Sequence, residues 1–435
     1  MIITSKGKKH INGHKELTAH NEIVDLTNDK EVASLVYFPL VSPSGKEVNL
    51  LVKEKDKVKV GTKIIERVDF EVPIFSSVSG VIKGKEVRYS ALVGKPVEHL
   101  IIENDYKYNM EKLPIIDYKS ASKEELVEHI KNAGIVGLGG AGFPTFIKHS
   151  SKAEINSMLI NAVECEPYLT TDYVSILKEP TLFLEGVNIL KKSSGANEAV
   201  IAFKNNKKEL LEVLEKELVN YEGIRIALVK DKYPMGWEKT LIKTIFKKTY
   251  NGLPSEVGVV VNNAQTALSV AKALINGECI HNRVITVSGN AIKNPQNVLV
   301  PVGTIAGEIL NKCGGVICEN ASLLAGGPMT SKATLNDEFP IYTTFGALTV
   351  MESLNIESEA CLRCGKCIEH CPAGLQPIQI KNAYDAKDLK ELEDFQVSKC
   401  VECGMCSYIC PSKIELTDAL RKAKLYFKLS QSNKK

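Results

Sequence analysis

Residues 361–374 read CLRCGKCIEHCPAG, and residues 400–413 read CVECGMCSYICPSK. Both stretches follow the spacing Cys-x2-Cys-x2-Cys-x3-Cys-Pro, with Cys361, Cys364, Cys367 and Cys371 in the first and Cys400, Cys403, Cys406 and Cys410 in the second. Three closely spaced thiolates wrap three irons of a cubane, and the fourth, held before a proline that turns the chain away, ligates the other cluster. The spacing therefore predicts two 4Fe-4S clusters with crossed ligands. The first takes Cys361, Cys364, Cys367 and Cys410; the second takes Cys400, Cys403, Cys406 and Cys371. Tetrahedral zinc sites instead use paired Cys-x2-Cys units without the proline-flanked fourth residue. Gly365 and Gly404 allow backbone N–H groups to approach cluster sulfurs. The window KDLKELEDF between the blocks and LTDALRKAKLYFKL after them predict a helical setting, with QSNKK as a frayed tail.

The rest of the composition narrows the function. Eight of the twelve cysteines lie in these blocks, and Cys165, Cys279, Cys313 and Cys318 lack ligand spacing, so they read as inert buried thiols. A net charge of +3 with interleaved acids and bases offers no basic face for nucleic acid. Neither a signal peptide nor an apolar run of membrane-spanning length is evident, which predicts a cytoplasmic protein that can dock on the inner face of a membrane through partners. At 435 residues the chain holds several domains.

Upstream, residues 1–115 alternate Val, Ile and Leu with polar residues between Gly and Pro-Ser breaks, and read as an all-β unit. The order VKEKDKVKVGTKI then PIFSSVSGVI resembles the two halves of a lipoyl domain, a β-sandwich hybrid. Its hairpin tip carries Arg67, Val68, Asp69 and Phe70 and no modifiable lysine, so the unit reads as scaffold. Residues 116–282 alternate helical and apolar strand-like segments, an α/β layer pattern. Residues 283–345 return to short strands around one helix, a small β-grasp-like module. Residues 346–425 form the helical two-cluster ferredoxin-type domain, and 426–435 the tail.

Within the α/β region, GIVGLGGAGFPTFIK contains Gly137-x-Gly139-x-x-Gly142. A Rossmann fingerprint follows a strand and opens a helix, whereas this loop follows the helical EELVEHIKNA and runs into Pro144. Five glycines between Gly134 and Gly142 nevertheless permit close backbone approach to a phosphate or a flat ring, with Lys148 as a nearby charge.

GLGGAGFPTFIK, followed by NAVECEPYLTTDY, YPMGWEKTLI and VGVVVNNAQTALSVAKAL, resembles the RnfC component of the Rnf electron-transport complex and its relatives. These share a fold with the NADH-oxidising flavoprotein subunit of respiratory complex I. HKELT near the start, VPVGT, GGPM and both cysteine blocks extend the resemblance over essentially the whole chain. It implies that Gly137, Gly139, Gly140 and Gly142 cradle FMN, with Phe143 a ring neighbour and Lys148 a flavin contact. The family stretch NADE-x-EP matches Asn161 through Glu164, Glu166 and Pro167, with Val163 in place of aspartate. Tyr233, Gly236 and Glu238 match Y-x2-GEE, with Trp237 departing from it. Asn262, Asn263 and Thr266 match NNVET. Glu164 and Glu166 suit a ribose or ring edge, and the Asn pair with Thr266 at a helix start supplies donors for a phosphate.

A nicotinamide yields an electron pair and each cluster takes one electron, so a flavin must stand between them. The expected function is hydride transfer from NADH to FMN, then single electrons through both clusters to a partner protein, in either direction. The resemblance also allows an alternative within the same family, a soluble relative such as the cobalamin-reducing flavoprotein or the electron-transfer protein associated with proline reductase, distinguished by its acceptor. A third alternative, of another class, is a non-enzymatic iron–sulfur relay.

Overall fold

The computed structural model describes residues 9–353 and 356–432. Its centre is a parallel four-stranded sheet in the order Ile224–Val229, Glu198–Lys204, Ser157–Asn161, Val259–Asn263. In chain order this is 3-2-1-4, so the direction of winding reverses between the first and fourth strands. The inner strands are buried on both faces, which is why SMLI and AVIAF read as continuous apolar runs rather than alternating ones. The helices Pro180–Ser194 and Ala264–Ala271 cover one face. They meet at Gly186, where a Cβ would lie 1.9 Å from the Ala267 carbonyl oxygen.

Two small sheets precede this core. One is antiparallel, ordered Leu35–Pro39, Lys95–Asn104, Gly80–Ser90, Lys57–Val58; the other pairs Val48–Leu50, Lys63–Arg67 and Val72–Phe75. A five-stranded sheet follows, ordered Ile23–Asp25, Gln296–Pro301, Asn282–Gly289, Ala347–Glu352, Ala321–Leu324. Its first strand comes from the N-terminal region, pairing Ile23 with Asn297 in parallel. One apolar cluster joins Phe38, Ile64 and Ile102 of the early strands to Ile285, Val298 and Leu348 of this sheet. The β-rich regions on either side of the α/β core thus share their interior.

The cysteine blocks are carried on short helices, Lys366–Glu369 and Met405–Tyr408, packed by Pro377–Asp385 and Leu416–Ser432 around Ile380, Leu392 and Leu420. The last helix continues through Gln431 and Ser432, where a frayed tail was expected, because Leu420 and Ala423 anchor it to the domain core; residues 433–435 lie outside the described part. Among the described residues no helix is long and apolar enough to cross a membrane.

Candidate flavin cleft and cluster sites

The carboxyl ends of the first and fourth core strands lie side by side, with Asn161 opposite Asn263. Chain ends that diverge at such a reversal leave a crevice for a ligand. Here it is a cleft of about 450 Å³. Gly139, Gly140, Asn161, Glu164, Glu166, Gly236 and Asn263 line it, so seven residues singled out from the sequence meet in one place.

Each is held by a local cause. The Asn263 side chain caps the helix Ala264–Ala271, accepting from the Gln265 N–H at 2.8 Å, and its amide donates to Asp172 at 2.8 Å. Asn161 donates to the Gly236 carbonyl at 2.8 Å. Lys15, brought in by the N-terminal HKELT segment, donates to the carbonyls of Glu164 at 3.0 Å, Glu166 at 2.8 Å and Leu169, and lies 3.8 Å from the Glu164 carboxylate. This one ammonium organises the loop from which both glutamates reach the cleft. Burial pushes Lys15 down to about 8 and pushes Glu164 up, and the attraction between the two opposes both shifts. Burial, and then the neighbouring Glu164, pushes Asp172 up to about 7.

The glycine loop lies as the sequence requires, between the helices Lys123–Asn132 and Thr145–His149. Gly142 has a left-handed backbone at φ +66°, whereas Gly139 and Gly140 do not. A Cβ on Gly139 would strike the Asn263 side chain at 2.7 Å, and one on Gly140 would meet no protein atom within 4 Å. The room beside Gly140 belongs to the cleft. The hairpin tip of the N-terminal unit braces this loop: Arg67, paired bidentately with Asp69, donates to the Gly142 carbonyl at 3.2 Å, and Phe70 meets Phe143 edge to face at 5.8 Å.

Eight expected contacts fall elsewhere. Gly137 closes the loop base, donating to the Phe143 carbonyl at 2.9 Å, and Gly142 and Phe143 face the hairpin tip. Lys148 donates to the Val261 carbonyl at 2.9 Å, behind the sheet end. Asn262 bonds His149 at 3.0 Å, and Thr266 accepts from the Leu138 N–H at 3.1 Å. Both therefore support the loop from beneath. Glu238 accepts from Tyr250 at 2.8 Å. Tyr233 is buried and donates to the Cys403 carbonyl at 2.6 Å. It thus touches the second cysteine block rather than the cleft.

That contact belongs to a thin partition. Ile11, Tyr233 and Met405 pack with Cys165, Met329 and Cys403. Glu166 accepts from the Met329 N–H at 3.0 Å and from the Thr330 hydroxyl. On the other side Gly404 approaches Met329 so closely that a Cβ would lie 2.3 Å from its carbonyl oxygen. The GGPM segment, Gly326–Met329, is the spacer between cleft and cysteines. Cys165 lines the cleft as a protonated thiol, pushed up to about 11 by burial.

Cys371 lines one small cavity together with Cys400, Cys403 and Cys406. This donor set, three thiols from one block and the proline-flanked fourth from the other, suits a cubane. Among the described residues no three His, Cys, Asp or Glu side chains converge on a single ion; a four-iron body spreads its ligands wider. Cys361 and Cys364 are exposed. Sequence reasoning missed Asp172, Gln265 and Arg283 in the cleft lining. Asp172 and Gln265 stood inside the quoted motifs, and only Arg283 came without a signal.

The comparisons agree with this construction. Family models match in four places: an RnfC barrel sandwich hybrid domain at residues 3–107, a Nuo51 FMN-binding domain at 130–272, an SLBB domain at 284–333 and a 4Fe-4S dicluster domain at 353–411. The RnfC-type component of the ion-translocating oxidoreductase complex of Rhodobacter capsulatus is 32% identical over 400 residues, 88% of this chain and 76% of that protein. The chain belongs to the RnfC family. The corresponding component of the Na(+)-translocating ferredoxin:NAD(+) oxidoreductase complex of Acetobacterium woodii is 33% identical, covering 87% of this chain and 86% of its own. The proton-translocating counterpart of Clostridium ljungdahlii is 32% identical over 87% and 83%. A solved NAD+-reducing [NiFe]-hydrogenase shares the fold at a TM-score of 0.52 and 18% identity, over 70% of this RnfC-family chain and 63% of the hydrogenase chain.

Proposed function

We propose that the chain carries electrons between NADH and a partner protein, using FMN in the cleft and two 4Fe-4S clusters in the C-terminal domain. The observation that carries this reading is the partition: Tyr233 and Met329 stand between the cleft residues Cys165 and Glu166 and the cysteine Cys403. When bound, a flavin takes up the electron pair of a hydride and releases electrons singly. The protein's own residues bind and orient. Gly139, Gly140 and Asn263 form the floor under a flat ring, and Glu164 and Glu166, held by Lys15 and by the Met329 N–H, present carboxylates to ribose hydroxyls.

Cys400, Cys403, Cys406 and Cys371 would hold the cluster beside the cleft. Cys361, Cys364, Cys367 and Cys410 would hold the outer one, where the exposed Cys361 and Cys364, beside the exposed Leu362 and Ile368, suit delivery to a partner. The family supports a partner among the other subunits of an ion-translocating Rnf complex, with this chain peripheral on its cytoplasmic face.

Stopped-flow mixing of anaerobic, fully loaded protein with NADH tests the reading. Loss of the flavin band should precede bleaching of the clusters. No spectral change with either NADH or NADPH would leave an iron–sulfur relay instead.

A further inference from the structure

Arg283 is the second residue of the strand Asn282–Gly289 of the small β module, outside the α/β core. It is 3% exposed, yet lines the cleft beside the glycine loop, Thr171 and Gln265. Its side-chain hydrogen bond runs from Nε to the Phe345 carbonyl at 3.4 Å, the long limit of such a bond. No carboxylate lies within ion-pair distance of it among the described residues. A buried guanidinium without a counter-charge is costly, and chains retain one where an anion completes it.

The cleft's own carboxylates have protein partners other than Arg283. Glu164 faces Lys15 and the Asp172 N–H, Glu166 takes the Met329 N–H and the Thr330 hydroxyl, and Asp172 accepts from Asn263. Burial holds the Arg283 guanidinium down to about 10, so it stays charged at neutral pH, and it attracts Asp172 without touching it. The Asn262 and Thr266 groups that the sequence offered to a phosphate are occupied within the protein. Planar, forked donors suit a phosphoryl group.

We propose that Arg283 is the phosphate anchor of the cleft, a binding residue supplied to the α/β core by the neighbouring β module. The ligand chemistry is a phosphoester anion, carried either by FMN or by the nicotinamide dinucleotide. The assignment deepens the proposed function, and its test includes a probe that does not depend on flavin.

Flavin-stripped, cluster-loaded protein is titrated with FMN, riboflavin and NADH, and Arg283→Gln is compared with the native chain. A single charge-assisted contact is worth roughly ten- to a hundredfold in affinity. A loss of that size for FMN with riboflavin unchanged places the FMN phosphate at Arg283. A loss confined to NADH places the dinucleotide phosphate there. Equal losses for FMN and riboflavin, or no loss for any of the three, would overturn the proposal.

If Arg283→Gln does not fold, the native chain and Arg283→Lys decide. Inorganic phosphate should raise the thermal midpoint of the stripped native protein above that in chloride of equal ionic strength, and Arg283→Lys should keep part of the rise. Absence of a phosphate-specific rise in the native protein sinks the anchor, whatever the flavin content proves to be.

Discussion

Asp172 shows how much the cleft asks of single side chains. Its carboxyl is held up at about 7 by burial and by Glu164, against 3.8 for an ordinary aspartate. The folded chain therefore keeps a proton that the unfolded chain releases between these values, so the carboxyl costs stability increasingly as pH rises from 3.8 to about 7 and by a constant amount above that. Asp172→Asn removes that cost. Relative to the native protein the variant should gain thermal midpoint between pH 5 and pH 8, and a difference that stays flat over that range would show the carboxyl to be unperturbed. Comparing the two proteins cancels His149 and His99, whose burial lowers their values to about 3 and about 4 and opposes this trend at lower pH. Gly139, Gly140, Glu164 and Glu166 of the cleft were legible because their types and spacing are themselves chemical statements, whereas Asp172 was overlooked inside a quoted motif. Arg283 was not: a lone arginine at the start of NRVITVSG looks like any solvated strand end, and only the packing of two modules buries it. Lys15 was legible as part of a motif, but its bonds to three carbonyls about 150 residues away were not.

Elements joined by single polar contacts give sharper tests. The turn between Lys63–Arg67 and Val72–Phe75 was expected to be scaffold because it lacks a lysine, and its tip does pack against the glycine loop. Arg67→Ala leaves the Asp69 carboxylate with the Ser44 hydroxyl in place of its ion-pair partner, which costs about 1–3 kcal/mol, and frees the loop at Gly142. Denaturant titration and flavin content should both register it; a stability change within about 0.5 kcal/mol, as for an ordinary surface site, would show the tip to be free of the loop. Tyr233→Phe removes one hydroxyl between the α/β core and the cluster domain, a loss of about 1 kcal/mol. Flavin content should stay, and the paramagnetic signature of one cluster, the one built on Cys400, Cys403 and Cys406, should change. Flavin loss with both cluster signals intact would return Tyr233 to the flavin. Local periodicity marked most of these elements. It could not mark the pairing of Ile23–Asp25 with Gln296–Pro301, because a three-residue strand carries too little pattern to name a distant neighbour.

For the whole molecule the two cysteine blocks predict roughly eight irons per chain, to be counted by metal analysis of anaerobic protein; a return of about four, or of zinc, would contradict it. Crossed ligation adds a directional test. Cys410→Ala should damage the cluster of Cys361, Cys364 and Cys367 and spare that of Cys371, Cys400, Cys403 and Cys406, which already line a common cavity. Loss of the neighbouring cluster's signal instead would reverse the pairing. The strand that joins the two ends of the chain has its own effect on the order of synthesis. The Asn297 side chain donates to the Thr18 carbonyl, 279 positions away, and Ile23–Asp25 has no sheet to join until Gln296–Pro301 emerges from the ribosome. The early strands therefore complete the core that they share with Ile285, Val298 and Leu348 only when most of the polypeptide has been made, and an arrest before residue 300 is expected to leave a fragment prone to aggregate rather than a usable half-enzyme.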